Sequence, residues 1–448
     1  MLPMRRIIQT WWPLAASWLL MGAELPALSA IVARLADPEI NLAAYGGVVF
    51  PIALIVESPV IMLLAASTAL SKDWASYQKL RRFMMVTGAA MTGLHVLVAF
   101  TPLYYIVVER ILGVPTEIVD PARVGLMIMT PWTWSIAYRR FNQGVLIRFG
   151  HSRAIGVGTV IRLSADGLVL AIGYLLGTIP GIVVATAAVA AGVMSEAVYV
   201  GLVVRPVLRG ELKQAPPVDQ PLTLRSFLDF YIPLAMTSLL TLLANPIGSA
   251  AMSRMPEALA SLAVWPVLAG LIFMLRSLGI AFNEVVVALL DEPGSSANLR
   301  RFTLQLSLAT TFFLLLIAAT PLSGLWFMRV SALSPHLADL ARSAIWVALP
   351  LPALSVFQSW YQGAILHGRR TGGITESVVV YLVASGVIFV AGVAWGRITG
   401  LYVGMTALVF STLIQTAWLW QRSQPILHTV QERDDRHAAT LQAESLGD

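Results

Sequence analysis

No cysteine occurs anywhere in the 448 residues. Disulfides and Cys-ligated metal are therefore excluded, and the redox compartment stays open. Charge is nearly as scarce: Asp, Glu, Lys and Arg make up 12% of the chain, about half the quarter usual in soluble domains. Only six histidines are present, and none forms a His-Glu-x-x-His zinc pair. With short connections and no soluble catalytic domain, an intramembrane enzyme is disfavoured, and no cofactor or resident metal is expected. What fills the chain instead is apolar: 57% of residues are hydrophobic and the mean hydropathy is +0.75. That is the composition of a polytopic membrane protein. The net charge of +6 and pI near 9.7 fit arginine-rich cytoplasmic loops, so no nucleic-acid partner is expected.

Apolar segments fall at about 12–33, 42–70, 83–108, 122–148, 154–177 and 180–204, then at about 227–253, 258–290, 302–328, 340–366, 374–396 and 400–421. Each is near or above the roughly 20 residues that cross a bilayer. The expected fold is all-α, with twelve transmembrane helices as two parallel six-helix repeats. The two sets are copies of one another. Pro13-Leu14-Ala15 recurs as Pro233-Leu234-Ala235, Pro26 as Pro246, Arg34 as Arg254 and Leu42-Ala43 as Leu262-Ala263, all 220 residues apart. After a one-residue slip, Leu80-Arg81-Arg82-Phe83 matches Leu299-Arg300-Arg301-Phe302 and Gln143-Gly144 matches Gln362-Gly363. Met1 to Ala30 mimics a secretory signal, but Leu28 occupies the minus-three position where a small residue belongs, and the repeat makes this segment a retained helix.

Six spans per copy is an even number, so both copies enter from the same side. The expected domains are an N-terminal lobe, 1–204; a Pro-rich cytoplasmic linker, 205–226, with Pro206, Pro216, Pro217 and Pro221; a C-terminal lobe, 227–421; and a mobile cytoplasmic tail, 422–448. Lys and Arg concentrate at the N-terminus, in the even-numbered connections and in the tail, which puts both termini in the cytoplasm of an inner or plasma membrane.

Ionisable residues inside the spans carry the functional reading. The first copy holds Glu24, Glu57, Arg139, Arg140, Arg162, Asp166 and Glu196; the second holds only Arg276 and Glu284. Arg139 lies about nine residues from the end of its span, roughly 14 Å at 1.5 Å per residue, close to the middle of the bilayer. Each such charge costs about 2.5–3.5 kcal/mol unless it is paired or wet. The repeat shows what the scaffold does without them. Arg139 and Arg140 become Gln358 and Ser359, Arg162 becomes Tyr381, Asp166 becomes Ser385, Glu196 becomes Gln415 and Glu24 becomes Ala244. Charge confined to one copy points to function, with co-dependent ion pairs inside that copy as the structural alternative. Arg162 and Asp166, four apart, share a helix face and suit a salt bridge. Glu24, two residues before Pro26 and without a charged neighbour on its helix, is the better protonation switch. Gln143 is within a turn of both arginines. His95 reads as a satisfied interior histidine, and Gly88, Gly93, Gly156 and Gly158 as close-contact glycines.

Twelve spans in two parallel repeats, an acid beside a proline on the first span (Glu24, Pro26) and an acid on the fifth (Asp166) resemble the multidrug and toxin extrusion (MATE) family. More broadly they are similar to the superfamily that includes lipid-linked oligosaccharide flippases. Leu42-Ala43-Ala44-Tyr45-Gly46 and the run from His95 to Ile111 resemble the progressive ankylosis branch, which exports organic anions. The resemblance implies alternating access driven by a proton or sodium gradient, with ion coupling at Glu24 and Asp166, to which Arg162, Glu57 and Glu196 are added as candidates. Arginine matches carboxylate and phosphate through its fork of donors. The expected protein is accordingly a monomeric exporter of a polar anionic solute, bound by Arg139, Arg140, Asn142, Gln143, Gln358, Gln362 and Arg276. The alternatives are a flippase for a lipid-linked anionic precursor and a multidrug cation antiporter, the latter at odds with so basic an interior. Membrane lipid, the solute and the coupling ion are the only partners expected.

Overall fold

Proline and the sparse polar residues decide where the apolar stretches start, bend and stop. The structure, a computed structural model, describes residues 3–218, 221–368 and 372–447, with side chains described as far as Arg436. Asp219 and Gln220 of the linker and the tail side chains beyond Arg436 lie outside the described residues. The described chain is helical, without a strand.

Among the described residues, ten helices are long and apolar enough to cross a membrane: Met4–Val32, Pro38–Leu70, Trp74–Phe100, Arg153–Leu176, Gly181–Leu212, Leu224–Met252, Ala258–Leu289, Ser295–Ala319, Gly372–Trp395 and Gly400–Arg436. An eleventh crossing is a bent pair, Pro335–Val347 and Leu351–His367, at 45°. Its counterpart in the first copy, Val119–Ile128 followed by Thr130–Arg148, carries Arg139, Arg140 and Arg148 and is correspondingly less apolar. Both breaks fall where a proline, Pro131 or Pro350, withholds an amide hydrogen from the preceding turn. These twelve segments form two sets of six in the expected order. The first also breaks, at Ala23, so that Glu24 opens the helical stretch Glu24–Val32.

The chain parts into two compact units, Leu28–Trp265 and Met1–Ala27 together with Pro266–Asp448. This division differs from the one expected at 204 and 227, because each copy gives its opening helix to the other. In the unit of Met1–Ala27 and Pro266–Asp448, Ile7 joins the buried core of Phe282, Val285 and Leu299. Trp11 Nε1 donates to the Leu278 carbonyl at 2.9 Å, and Arg6 pairs with Glu292 at 2.6 Å. In the other unit Tyr231 and Phe227 of the seventh span stack on one another and meet Phe83 edge-on, at 5.1 and 4.6 Å. The Tyr231 hydroxyl donates to the Pro59 carbonyl. Hydropathy marks all these faces as apolar but does not say which helix covers which.

The segments after the sixth and twelfth spans are anchored more firmly than expected. The sixth helix continues to Val207 with Pro206 inside it, and a wider turn then runs over Leu208–Leu212. Beyond it, Val218 N–H reaches Asp73 Oδ2 at 3.4 Å, while the same carboxylate caps the third span through Ser76 N–H at 2.9 Å. Burial works against the Asp73 charge, yet the hydrogen bonds from Ser76 and Val218 outweigh it and hold the carboxyl below its ordinary range.

In the other unit the tail expected to be mobile continues the twelfth helix, and to Arg436 its packing is visible. Leu419, Ser423, Val430 and Asp434 are buried at helical spacing. Asp434 accepts from the Gly294 and Ser296 amides at 2.9 Å each, capping the ninth span, while Arg433 donates to the carbonyls of Leu290, Asp291 and Glu292 at 3.0–3.1 Å. The tail packs by capping two helix ends and by setting Val430 and Leu427 against the apolar core of this unit. Asp434→Ala is expected to cost about 1 kcal/mol, the usual value of a lost cap. It should lower the unfolding midpoint of the detergent-solubilised protein; an unchanged midpoint would show the tail is not an anchor.

Candidate functional site

Several charged residues of the first copy, Arg139, Arg162 and Glu196, meet through contacts between helices. Glu196 on the sixth span is 1% exposed and Arg139 on the fourth is 7% exposed. Arg139 Nη1 donates to Glu196 Oε2. Gln143, one turn further along the fourth span, donates to Glu196 Oε1 at 2.8 Å, and Arg162 Nε on the fifth span lies 3.6 Å from Glu196 Oε2. One carboxylate thus gathers two arginines and a glutamine from two helices. Gly158 makes room for it, since a Cβ there would sit 3.2 Å from Glu196 Cγ. Asp166 is buried as well and lies against Gly192, where a Cβ would come within 1.6 Å of Asp166 Oδ1. Any side chain at 192 would have to displace that carboxylate.

Arg140 and Glu57 differ from this group. Arg140 forms no hydrogen bond or ion pair among the described residues, and its Nε is buried without a partner. It stands in the electrostatic fields of Arg139, Glu57, Glu196 and Arg162. Glu57 on the second span is 4% exposed, has Oε2 unpartnered among the described residues, and feels Arg140 and Arg139. The adjacent arginines, about 100° apart around the helix, therefore differ: Arg139 is neutralised by a salt bridge, whereas Arg140 keeps its donors.

The second copy builds the same contact without charge. Gln358 Nε2 donates to Gln415 Oε1 at 2.9 Å, and Gln415 Nε2 reaches Ser377 Oγ at 3.4 Å. Gln358 and Gln415 are the repeat equivalents of Arg139 and Glu196, and Ser377 that of Gly158. Sequence reasoning missed Ser377 as a site neighbour. It also missed a charge inversion: Ser58 and Ser277 each bond the carbonyl three residues back, at 2.8 and 2.7 Å, so the second and eighth spans align at an offset of 219. Glu57 then corresponds to Arg276. Arg276 makes no hydrogen bond or ion pair through its side chain among the described residues, and Tyr381 is the titratable group whose field reaches it.

Of the other expected site residues, Asn142 donates to its own helix at the Tyr138 carbonyl, 2.9 Å away, and Gln362 is partly buried. Arg139, Arg140, Asn142, Gln143, Glu57, Arg162, Asp166 and Glu196 belong to the Leu28–Trp265 unit, while Glu24, Arg276, Gln358 and Gln362 belong to the other. His95 is satisfied, with Nδ1 2.8 Å from Thr133 Oγ1 and Nε2 2.9 Å from the Leu126 carbonyl. Gly88 and Gly158 are close-contact positions; Gly93 and Gly156 face open space, contrary to expectation.

No family model matches the chain, and no curated protein matches it. Solved structures do. An inward-facing multidrug-resistance MATE transporter of the MOP superfamily aligns over 92% of this chain and 96% of its own, at 14% identity and a TM-score of 0.67. The lipid II flippase MurJ, in an inward closed conformation, covers 97% and 93% at 15% identity and a TM-score of 0.64. A MOP superfamily transporter from Pyrococcus furiosus, described as having a binding pocket of reverse polarity that suggests a different function, covers 95% and 97% at 16% identity and 0.60. The chain has the fold of the MATE transporters: an integral membrane protein of two six-helix repeats.

Proposed function

We propose that the protein is a secondary active transporter that exports a polar, anionic small solute by alternating access. One observation carries the reading: inside a membrane span, Arg140 keeps a guanidinium with no protein partner among the described residues, beside two further arginines. A charge held in a span at such cost needs a compensating group, and a carboxylate or phosphate matches the guanidinium fork. Structural kinship to a transporter whose pocket is described as of reverse polarity supports a cargo other than cationic drugs.

In this reading Glu57 balances Arg140 when no cargo is bound, and Glu24, Asp166 and Glu57 are the candidates for coupling to protons or sodium. Glu196, with both oxygens committed, anchors the arginines. Both termini lie in the cytoplasm. Likeness to the lipid II flippase favours a second reading, the flipping of a lipid-linked anionic precursor. Proteoliposome assays with labelled succinate, citrate and inorganic phosphate, a fluorescent polyprenyl-phosphate lipid, and ethidium separate the cases. Movement of the soluble anions is the expected result. Movement of the lipid alone would favour the flippase, and movement of ethidium alone would overturn the anionic cargo.

A further inference from the structure

Charge bookkeeping between the two copies points to a second site. In the first copy the interior cluster of the second, fourth, fifth and sixth spans holds Arg139, Arg140 and Arg162 against Glu57, Asp166 and Glu196. Fully ionised, these six side chains cancel. The equivalent positions in the second copy are Gln358, Ser359, Tyr381, Arg276, Ser385 and Gln415. Five are neutral at pH 7, and the one charge left is the guanidinium of Arg276. Among these six equivalent positions, Arg276 thus has no acid to balance it.

From this imbalance we infer that Arg276 and Tyr381 form a binding site for a single monovalent oxyanion, a carboxylate or a phosphodiester, in the second copy. Nε of Arg276 is buried and unpartnered among the described residues, while the side chain as a whole is only partly buried, so its outer nitrogens can be reached. Its helix position is fixed: the Arg276 carbonyl accepts from Ser355 Oγ of the bent tenth span at 3.1 Å. Glu284, the other ionisable residue of the eighth span, is exposed and lies two turns away, and Glu24 of the same unit is not among the groups whose field reaches Arg276. Tyr381, in the same unit, is the titratable group whose field reaches Arg276, and its hydroxyl is a neutral donor. One positive charge neutralises one negative charge; a dianion here would leave a net charge in the membrane, as the empty site does. Carboxylate and phosphodiester satisfy that balance equally. The site deepens the proposed anion transport and rests on it for its role, although binding is measurable without transport.

The test uses thermal unfolding of the full-length protein in a neutral detergent, with benzoate as soluble monoanion, benzamide as its neutral analogue, and dioctanoyl-phosphatidylglycerol as lipid phosphodiester. Benzoate or the lipid is expected to raise the unfolding midpoint and benzamide to leave it unchanged; which anion acts tells a soluble from a lipid source. Arg276→Gln and Arg276→Met should abolish the rise, Arg276→Lys should keep part of it, and Tyr381→Phe should weaken half-saturation several-fold. Both neutral variants should fold, since each removes an uncompensated charge. An equal rise in wild type and the neutral variants overturns the site, as does the absence of any rise in wild type with both anions. Anion transport by proteoliposomes that survives Arg276→Gln unchanged would sink this site alone. Arg276-dependent binding without any anion transport would sink the transport reading alone.

Discussion

Glu196→Ala is expected to destabilise the protein by about 3–5 kcal/mol, the usual cost of stripping one partner from a buried ion pair. The carboxylate is 1% exposed, takes hydrogen bonds from Arg139 and Gln143, and lies 3.6 Å from Arg162. Its removal strands the Arg139 charge and leaves the Gln143 amide without its acceptor. The repeat supplies a rescue that no general argument would suggest. Arg139→Gln combined with Glu196→Gln rebuilds the Gln358–Gln415 contact of the second copy, and the double variant should recover the part of the loss that falls on Arg139, while Arg162 still lacks Glu196. Replacing a buried ion pair by a well-packed neutral pair is often close to neutral in stability. Unfolding midpoints compared at one scan rate in detergent would decide it, since irreversible unfolding makes absolute values rate-dependent. A Glu196→Ala midpoint equal to wild type, or a double variant no better than Glu196→Ala, would sink the argument.

That rescue also marks how far the sequence reached. The repeat register was legible, and with it the pairing of Arg139 with Gln358 and of Glu196 with Gln415 as equivalents. The contact between Arg139 and Glu196 was not, because the two are 57 residues apart on different helices. Sequence arguments about charge pairs see only neighbours three or four apart, so they set Arg162 beside Asp166 and Gln143 beside the arginines of its own helix but give Glu196 no partner. The inversion of Glu57 to Arg276 was hidden by the one-residue slip, which sequence matches confine only to the stretch between Ala43 and Leu80. Ser58 and Ser277 place it before the polar end of the second span. Exchange of the opening helices was illegible for a different reason: burial against protein and burial against lipid call for the same apolar residues. The tail was misread because much of its docking is polar capping by Arg433 and Asp434, which no hydropathy profile registers, and its apolar contacts, Val430 and Leu427, are few.

Arg140→Gln is expected to remove anion transport while leaving the fold intact, the reverse of the effect at Glu196. Losing one partner of a desolvated, hydrogen-bonded charge pair costs about 2–5 kcal/mol, which at tenfold per 1.4 kcal/mol is on the order of 30- to several thousand-fold in affinity. Stability should fall less than in Glu196→Ala, because the arginine makes no hydrogen bond or ion pair among the described residues, although Glu57 loses the charge that balances it. Arg140→Lys keeps the charge but loses the planar fork, so it should retain only part of the affinity for a carboxylate or phosphate. Arg139→Gln is the informative contrast: it leaves Glu196 buried opposite a neutral side chain, so its first effect should be on the unfolding midpoint. Saturation curves for anion uptake in proteoliposomes, read beside unfolding midpoints of the same preparations, separate the two arginines. If Arg140→Gln transports like wild type, or if both variants lose stability and transport in equal proportion, Arg140 is another structural charge and not the hand that holds the cargo.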